Sequence, residues 1–272
     1  MKRSWFAFPY GLWMLLFTIV PIVIIVYYAF TIDGSFSLDN FRLFFSPDII
    51  GILLFSLWLA FLCTLICLAL GYPVALFLAK TAMKRSAMLV VLFIIPMWMN
   101  FLLRTYAWMS LLEDTGLINR LLEWVGVGRV KLMYTENAVL FGLVYNFLPF
   151  MIFPIYSVLK RSDILLEEAA SDLGANTLNV FTRVTLPLSL PGVVSGISMV
   201  FMPAVTTFVI PRLLGGGMFM MFGDLIESQF LTTGDWNFGS ALSLVMMALI
   251  LVSLGILNKT GTSANGEEGA LW

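Results

Sequence analysis

The sequence of 272 residues contains no histidine and only two cysteines. The absence of histidine removes the commonest metal ligand and the usual general base near neutral pH. The cysteines, Cys63 and Cys67, stand four residues apart in an apolar stretch, which places them on one helix face with no other type of ligand nearby in sequence. We therefore predict two small packing residues, no disulfide framework and no metal site.

Charged residues are also scarce. They make up 11% of the chain, against 60% hydrophobic residues and a mean hydropathy of +0.97. Soluble domains contain about a quarter charged and about a half apolar residues. A water-soluble fold could not cover so much apolar surface with so few charges, so the chain must be solvated by lipid. The net charge of −1 offers no basic field to a nucleic acid.

Long apolar runs predict an all-α membrane protein of about six transmembrane helices. A bilayer core requires about 20 apolar residues per helix. The first run is too long for a signal peptide and lacks a small-residue cleavage site, so we interpret it as a retained span. The predicted spans are residues 9–30, 49–78, 87–112, 138–158, 188–210 and 240–257. They form one transmembrane domain, residues 1–257, followed by a disordered cytoplasmic tail, residues 258–272.

Basic residues indicate the orientation. They crowd one side of the predicted spans and are scattered more thinly over the longer loops of the other side, and the side with more lysine and arginine is cytoplasmic. The crowded side carries Lys2, Arg3, Lys80, Lys84, Arg85, Lys160, Arg161 and Arg183. This pattern predicts a multi-pass membrane protein with both termini in the cytoplasm.

Small residues and proline mark the fifth predicted span. Gly192 and Gly196 form a small-xxx-small pair, which lets another helix approach closely, and Pro203 is expected to kink the span. Outside the spans, apolar residues recur at helical spacing over residues 117–125. This stretch predicts an amphipathic helix at the outer interface, anchored by Trp124.

The cytoplasmic loop 162–186 is the most unusual segment. Ser162 suits a helix N-cap, and Gly174 suits the left-handed residue that ends the helix. Asn176 or Thr177 can then cap a second short helix that ends at Leu186-Pro187. Two amphipathic helices at a glycine elbow could form a docking knob or rest on lipid headgroups, and the spacing alone leaves both interpretations open.

The same loop carries a family resemblance. Glu168-Ala169-Ala170, Gly174 after three further residues and, after nine more, Val184-Thr185-Leu186-Pro187 resemble the EAA loop of bacterial ABC importer permeases, with Val184 in place of the usual isoleucine. The resemblance implies the type I (MetI-like) permease fold, in which this coupling helix docks in a groove of an ATPase subunit. The docking residues that it implies are Glu167, Glu168, Ala169, Ala170, Asp172, Leu173, Gly174, Leu186 and Pro187.

Five further stretches of the sequence make the family resemblance more specific. Gly71-Tyr72-Pro73, residues 95–100, Arg104-Thr105-Tyr106, residues 229–231 and residues 235–239 are similar to permeases of spermidine/putrescine importers. This implies half of a translocation pathway for polyamines, shared with a second permease subunit, two ATPase subunits and an extracytoplasmic substrate-binding protein. An importer of another small solute, such as an amino acid or an inorganic ion, is the alternative.

The energy source must lie outside the chain. No G-x-x-x-x-G-K-[ST] loop is present to bind the phosphates of ATP. We therefore expect a transporter subunit that is not an enzyme and has no cofactor of its own, with ATP and magnesium on the partner ATPase. Ion-coupled secondary carriers, the competing class, usually place ionisable residues inside their spans. The predicted spans contain only Arg104, which could snorkel to the outer interface or contact the pathway.

Two further groups are candidates for contact with solute or partner. Trp98, Asn100, Tyr106 and Trp108 could replace the water around a polycation through aromatic faces and an amide oxygen, or could be packing and belt residues. Asp235 and Trp236 could meet the binding protein, and an interfacial aromatic anchor is the alternative for this pair.

Overall fold

The computed structural model describes residues 8–32 and 34–262. Five helices in these ranges are long and apolar enough to cross a membrane, and a sixth span is present if the bent pair Met88–Trp98 and Phe101–Trp124 counts as one. The architecture is therefore the all-helical membrane fold that the apolar runs predict.

The chain begins with a peripheral span and a short outer connection. The first span consists of Phe8–Met14, a π-helical turn Leu15–Ile19 and Val20–Ala29. A two-stranded antiparallel ribbon, Thr31–Ile32 with Ser35–Phe36, and the helix Asp39–Phe44 follow. The first span packs mainly against the sixth and leaves most of its apolar side chains exposed.

The middle of the chain forms the second to fourth spans. The second is Pro47–Lys80, whose 34 residues exceed what the bilayer core requires. The third consists of Met83–Trp98 and Phe101–Leu112. The predicted amphipathic helix is present as Leu117–Trp124, and the fourth span is Glu136–Arg161.

The coupling helix, Ile164–Asp172, precedes the fifth span. That span runs through Thr177–Val180, the π-helical turn Phe181–Thr185 and Leu186–Thr206. Two short helices, Val209–Leu214 and Phe222–Ser228, lead through the π-helical turn Gln229–Thr233 to the sixth span. The sixth span is Trp236–Thr262.

The C-terminal end differs from the prediction. The last helix continues to Thr262, so residues 258–262, which we assigned to a disordered tail, are helical. The rest of the predicted tail, residues 263–272, lies outside the described residues, as do Lys2 and Arg3.

The core lies between the second, fourth and fifth spans, and small residues bring these helices together. Cys63 and Cys67 are both free thiols, fully buried in this core, as their apolar setting predicts. Gly196 packs against Met151, and Gly192 lies against the backbone of Pro154 and Ile155. The close approach predicted for the glycine pair is therefore present between the fifth and fourth spans.

We expect Gly192→Ala to lower the thermal-unfolding midpoint of the detergent-solubilised protein. The added Cβ would lie 2.9 Å from the carbonyl oxygen of Pro154 and 3.0 Å from Cα of Ile155, so two backbones must separate. Overpacking of this kind costs about 1–3 kcal/mol. The matched control is Gly255→Ala in the sixth span, where no atom lies within 4 Å of the new Cβ. Equal midpoints for the two variants would contradict the prediction.

The third span is not the single helix predicted over residues 87–112. Its two parts meet at Met99-Asn100, and the bent pair Met88–Trp98 and Phe101–Trp124 turns by 91°. Met99 is extended, with a ψ of 144°, and the Asn100 side chain caps the second part by accepting hydrogen bonds from the backbone N–H groups of Leu102 and Leu103. At 1.5 Å per residue, the 16-residue first part spans about 24 Å, so the break lies within the depth of the membrane.

The fifth span begins earlier than the predicted residue 188. The second short helix of the cytoplasmic loop does not end at Leu186-Pro187, because the chain stays helical from Thr177 to Thr206. The π-helical turn before Pro187 widens the hydrogen-bonding pattern, and the backbone N–H of Leu186 donates to the carbonyl of Phe181. Pro187 has no backbone N–H to donate, and the wider turn accommodates the proline within the helix. The outer end of the span also differs, because it breaks after Thr206 and Val209–Leu214 is a separate helix.

Candidate functional site

The ends of the coupling helix are fixed by local hydrogen bonds. Asp163, one residue later than predicted, is the N-cap, and its carboxylate accepts from the backbone N–H of Leu165 at 3.0 Å. Ser162 instead donates to the carbonyl of Val158 in the fourth span. At the other end Gly174 is left-handed, with a φ of 85°, as its position predicts.

The glycine elbow is a Schellman motif. The N–H of Gly174 donates to the carbonyl of Ser171 at 2.9 Å, and the N–H of Ala175 donates to the carbonyl of Ala170 at 3.1 Å. Asn176 then caps the fifth span by accepting from the N–H of Asn179 at 2.8 Å. These bonds turn the chain sharply between two helices and present the coupling helix as a separate projection.

One face of this projection is apolar and exposed. The side chains of Leu165, Leu166, Leu173 and Leu178 are 61%, 49%, 90% and 68% exposed. We call these four residues the docking face. Several large apolar side chains exposed within one short loop are typical of a protein interaction site.

The residues implied by the EAA resemblance divide into two groups. The exposed group is Glu168, Ala169, Asp172, Leu173, Gly174 and Pro187, and the half-buried group is Glu167, Ala170 and Leu186. Except for Pro187, the exposed group lies on the coupling helix and at the elbow, where a partner could contact it. Glu167 faces the body of the protein instead, and Leu186 and Pro187 belong to the continuous fifth span.

Glu167 contacts two other elements. One carboxylate oxygen lies 2.8 Å from Nζ of Lys80, and the other accepts a hydrogen bond from the Thr185 hydroxyl at 2.7 Å. Burial raises the pKa of Glu167, but the hydrogen bonds from Lys80 and Thr185 and the charge of Lys80 outweigh it and hold the pKa below its usual value. The carboxylate is therefore ionised at neutral pH.

Lys160 adds a second polar connection on this side. Its ammonium, near the end of the fourth span, donates to the carbonyls of Ala79 and Thr81 at 3.2 Å each and so satisfies the C-terminal end of the second span. A cleft of about 460 Å³ lies between these elements and is bordered by Lys80, Lys160 and Glu167.

Arg104 supports the break in the third span. Its guanidinium donates to the carbonyl of Pro96 at 2.9 Å and to the side-chain oxygen of Asn146 in the fourth span. It also lies over the ring of Tyr145, with 5.7 Å from Cζ to the ring centroid. Arg104 is half-buried in these contacts, so its guanidinium is engaged with the third and fourth spans.

The four pathway candidates do not share one environment. Trp98 and Tyr106 are 85% and 52% exposed, and Asn100 is the exposed N-cap at the break. Trp108 packs edge-on against Phe141 and Tyr145 of the fourth span. Trp98, Asn100 and Tyr106 are thus available to a partner or a solute, whereas Trp108 has a packing role.

Asp235 and Trp236 both take part in local structure. The Asp235 carboxylate caps the sixth span by accepting from the N–H of Phe238 at 2.9 Å. Trp236 packs edge-on against Phe230, with 5.4 Å between ring centroids, and remains 54% exposed. Contact with a binding protein stays a prediction for this pair.

A polar cluster lies in the connection between the fifth and sixth spans, and no sequence pattern indicated it. Both carboxylate oxygens of Glu227 accept hydrogen bonds from Arg212 at 2.8 Å. Asp224, one turn earlier, is only 6% exposed. Burial raises its pKa, the charge of Arg212 opposes this shift, and the charge of Glu227 adds to it. The paired residues are 15 positions apart, so no local pattern could have indicated their contact.

The fold of the described residues defines a class of protein: a helical membrane protein of five or six spans with a short helix that projects between the fourth and fifth. Residues 71–259 match the family of the binding-protein-dependent transport system inner membrane component, and the chain belongs to this family. The structure is similar to the crystal structure of a bacterial ABC transporter that imports the acidic polysaccharide alginate. The TM-score is 0.83 and 96% of each chain is covered, at 19% sequence identity, so the likeness concerns the fold.

Relatives of higher identity are more specific. The chain is 40% identical over 252 residues to the spermidine/putrescine transport system permease protein PotB of Escherichia coli (strain K12), which covers 88% of this chain and 92% of that protein. It is 38% identical to PotB of Haemophilus influenzae, with 91% of each chain covered. The inner membrane ABC transporter permease protein YdcU of Escherichia coli is 27% identical over 86% of this chain.

Proposed function

We propose that the chain is the permease subunit of an ABC importer for polyamines such as spermidine and putrescine. It forms half of the translocation pathway together with a second permease subunit. Two ATPase subunits, which carry the ATP and magnesium, supply the energy, and an extracytoplasmic binding protein delivers the solute. The observation that carries the proposal is the coupling helix, held at a fixed glycine elbow with its docking face exposed.

The same helix supports the proposed orientation. The coupling helix must be in the cytoplasm to meet an ATPase, and its residue Glu167 lies beside Lys80 and Lys160. Both lysines belong to the basic group that is cytoplasmic under the positive-inside rule. With six spans, both termini then lie in the cytoplasm too.

Two observations support a polyamine as the solute. PotB of two bacteria, at 40% and 38% identity over most of the chain, is a spermidine/putrescine permease by name. The exposed candidates Trp98, Asn100 and Tyr106 offer aromatic faces and an amide oxygen to a cation. Arg104 would repel a polycation, but it is held by Pro96, Asn146 and Tyr145, so it is a support of the pathway and not a solute contact.

Transport by the reconstituted complex tests the proposal. The complete importer in proteoliposomes, supplied with its binding protein, should take up labelled spermidine or putrescine only when ATP is present. The same preparation should not take up a labelled sugar or amino acid, and omission of the binding protein should abolish uptake. Uptake of the amino acid or sugar alone, without competition from either polyamine, would overturn the solute and leave the importer class intact.

A further inference from the structure

The side chain of Glu167 differs from that of its neighbour Glu168. Glu168 is exposed and makes no side-chain hydrogen bond or ion pair among the described residues. Glu167 is turned toward the body of the protein. One of its carboxylate oxygens accepts a hydrogen bond from Nζ of Lys80 at 2.8 Å, and the other accepts one from the Thr185 hydroxyl at 2.7 Å.

The two partners belong to different spans. Lys80 is the last residue of the second span, which at 34 residues is about 51 Å long and so extends beyond the bilayer core to reach the coupling helix. Thr185 is 3% exposed and ends the π-helical turn inside the fifth span. Glu167 therefore joins the coupling helix to the two spans that, with the fourth, form the core.

Besides this pair of contacts, the coupling helix packs chiefly against the start of the fifth span. Its leucines at 165 and 166 are exposed rather than packed on the spans. The chain joins it directly to the fourth span through Ser162-Asp163 and to the fifth through the elbow at Gly174, but no such connection reaches the second span. The cleft of about 460 Å³ beside Lys80 and Glu167 leaves room for these elements to shift relative to one another.

We propose that Glu167 is a positioning residue that links movement of the docked coupling helix to the second and fifth spans through Lys80 and Thr185. This inference rests on the proposed function. In this proposal Glu167 transmits movement to the spans, and the exposed docking face makes the contact with the ATPase. The ion pair between Lys80 and Glu167, at 2.8 Å, requires both charges. Replacement of either residue therefore tests whether the pair connects the coupling helix to the second span.

The first test is Lys80→Met in the complete importer, because Lys80 lies outside the docking face and methionine keeps an unbranched apolar side chain. We expect the ATPase subunits to co-purify in the normal ratio and hydrolysis without binding protein to stay unchanged. Stimulation of hydrolysis by the loaded binding protein, and polyamine uptake, should fall about five- to tenfold, at the lower end of ordinary coupling between sites. Arg161→Met is the matched control, because it removes a charge from the same side at an exposed residue without an ion pair among the described residues.

The second test exchanges the charges. Glu167→Lys alone should lose stimulation, and Glu167→Lys combined with Lys80→Glu should recover at least about half of it, because the pair re-forms with opposite sign. Loss of the ATPase subunits in Lys80→Met, normal stimulation in that variant, or an equal loss in Arg161→Met would each overturn the link. Failure of the proposed function would differ, because the unaltered importer would then show no stimulation by its binding protein.

Discussion

Polyamine uptake by the reconstituted importer is expected to fall by at least about tenfold when Gly174 is replaced by valine. Gly174 has a φ of 85°, and a β-branched residue adopts this left-handed conformation only at a cost of about 1–3 kcal/mol. Relief of that strain would break the bonds from Gly174 to Ser171 and from Ala175 to Ala170 and redirect the docking face. The ATPase subunits should then bind weakly or fail to couple.

The comparison with Gly174→Asn isolates the conformational cause. No atom lies within 4 Å of a Cβ built on Gly174, so the Cβ of either variant has room and the variants differ mainly in their tolerance of the backbone conformation. Asparagine tolerates the left-handed region, so this variant should keep most of the uptake. Uptake in proteoliposomes and co-purification of the ATPase subunits measure the effect. Similar activity in both variants would show that the left-handed elbow is not what transport requires.

Features encoded by short segments were predictable from the sequence. Hydropathy alone places the spans, because about 20 apolar residues have no alternative to a helix in lipid. Gly174 and Asn176 are recognisable because turn and cap chemistry depends on one residue and its immediate neighbours. Gly192 and Gly196 were likewise visible as a close-packing pair.

Features that depend on distant partners were not predictable. The break at Met99-Asn100 interrupts an apolar run that hydropathy treats as continuous, and Arg104 supports it from the next helix. Glu167 was grouped with the docking residues because sequence spacing does not show which way its side chain faces. Its partner Lys80 is 87 residues away, and only the packing of the second and fifth spans reveals their contact.

Arg104→Ala is expected to have a large effect, because Arg104 supports the break in the third span. Removal of the guanidinium leaves the side-chain oxygen of Asn146 without its donor and leaves the carbonyl of Pro96 with only the backbone N–H of Met99, at 3.3 Å. The break lies inside the membrane, where water cannot easily replace the lost bonds. A lost hydrogen bond to a charged group costs about 1.5–3 kcal/mol, and the cation–π contact with Tyr145 is lost as well. We expect a lower thermal-unfolding midpoint and at least about a tenfold loss of uptake, since the two halves of the span are no longer held against the fourth.

Two further variants separate charge from geometry at Arg104. Arg104→Lys keeps the positive charge, but its single ammonium cannot reproduce the planar fork that reaches Pro96 and Asn146 together, so it should recover only part of the midpoint and of the uptake. Arg120→Ala removes an exposed arginine of the outer helix, whose hydrogen bond goes to the nearby carbonyl of Thr115, and should leave both measurements unchanged. Full recovery by lysine would mean that the charge alone matters at this position, whereas an unchanged midpoint in Arg104→Ala would mean that the break is held by the Asn100 cap without the guanidinium.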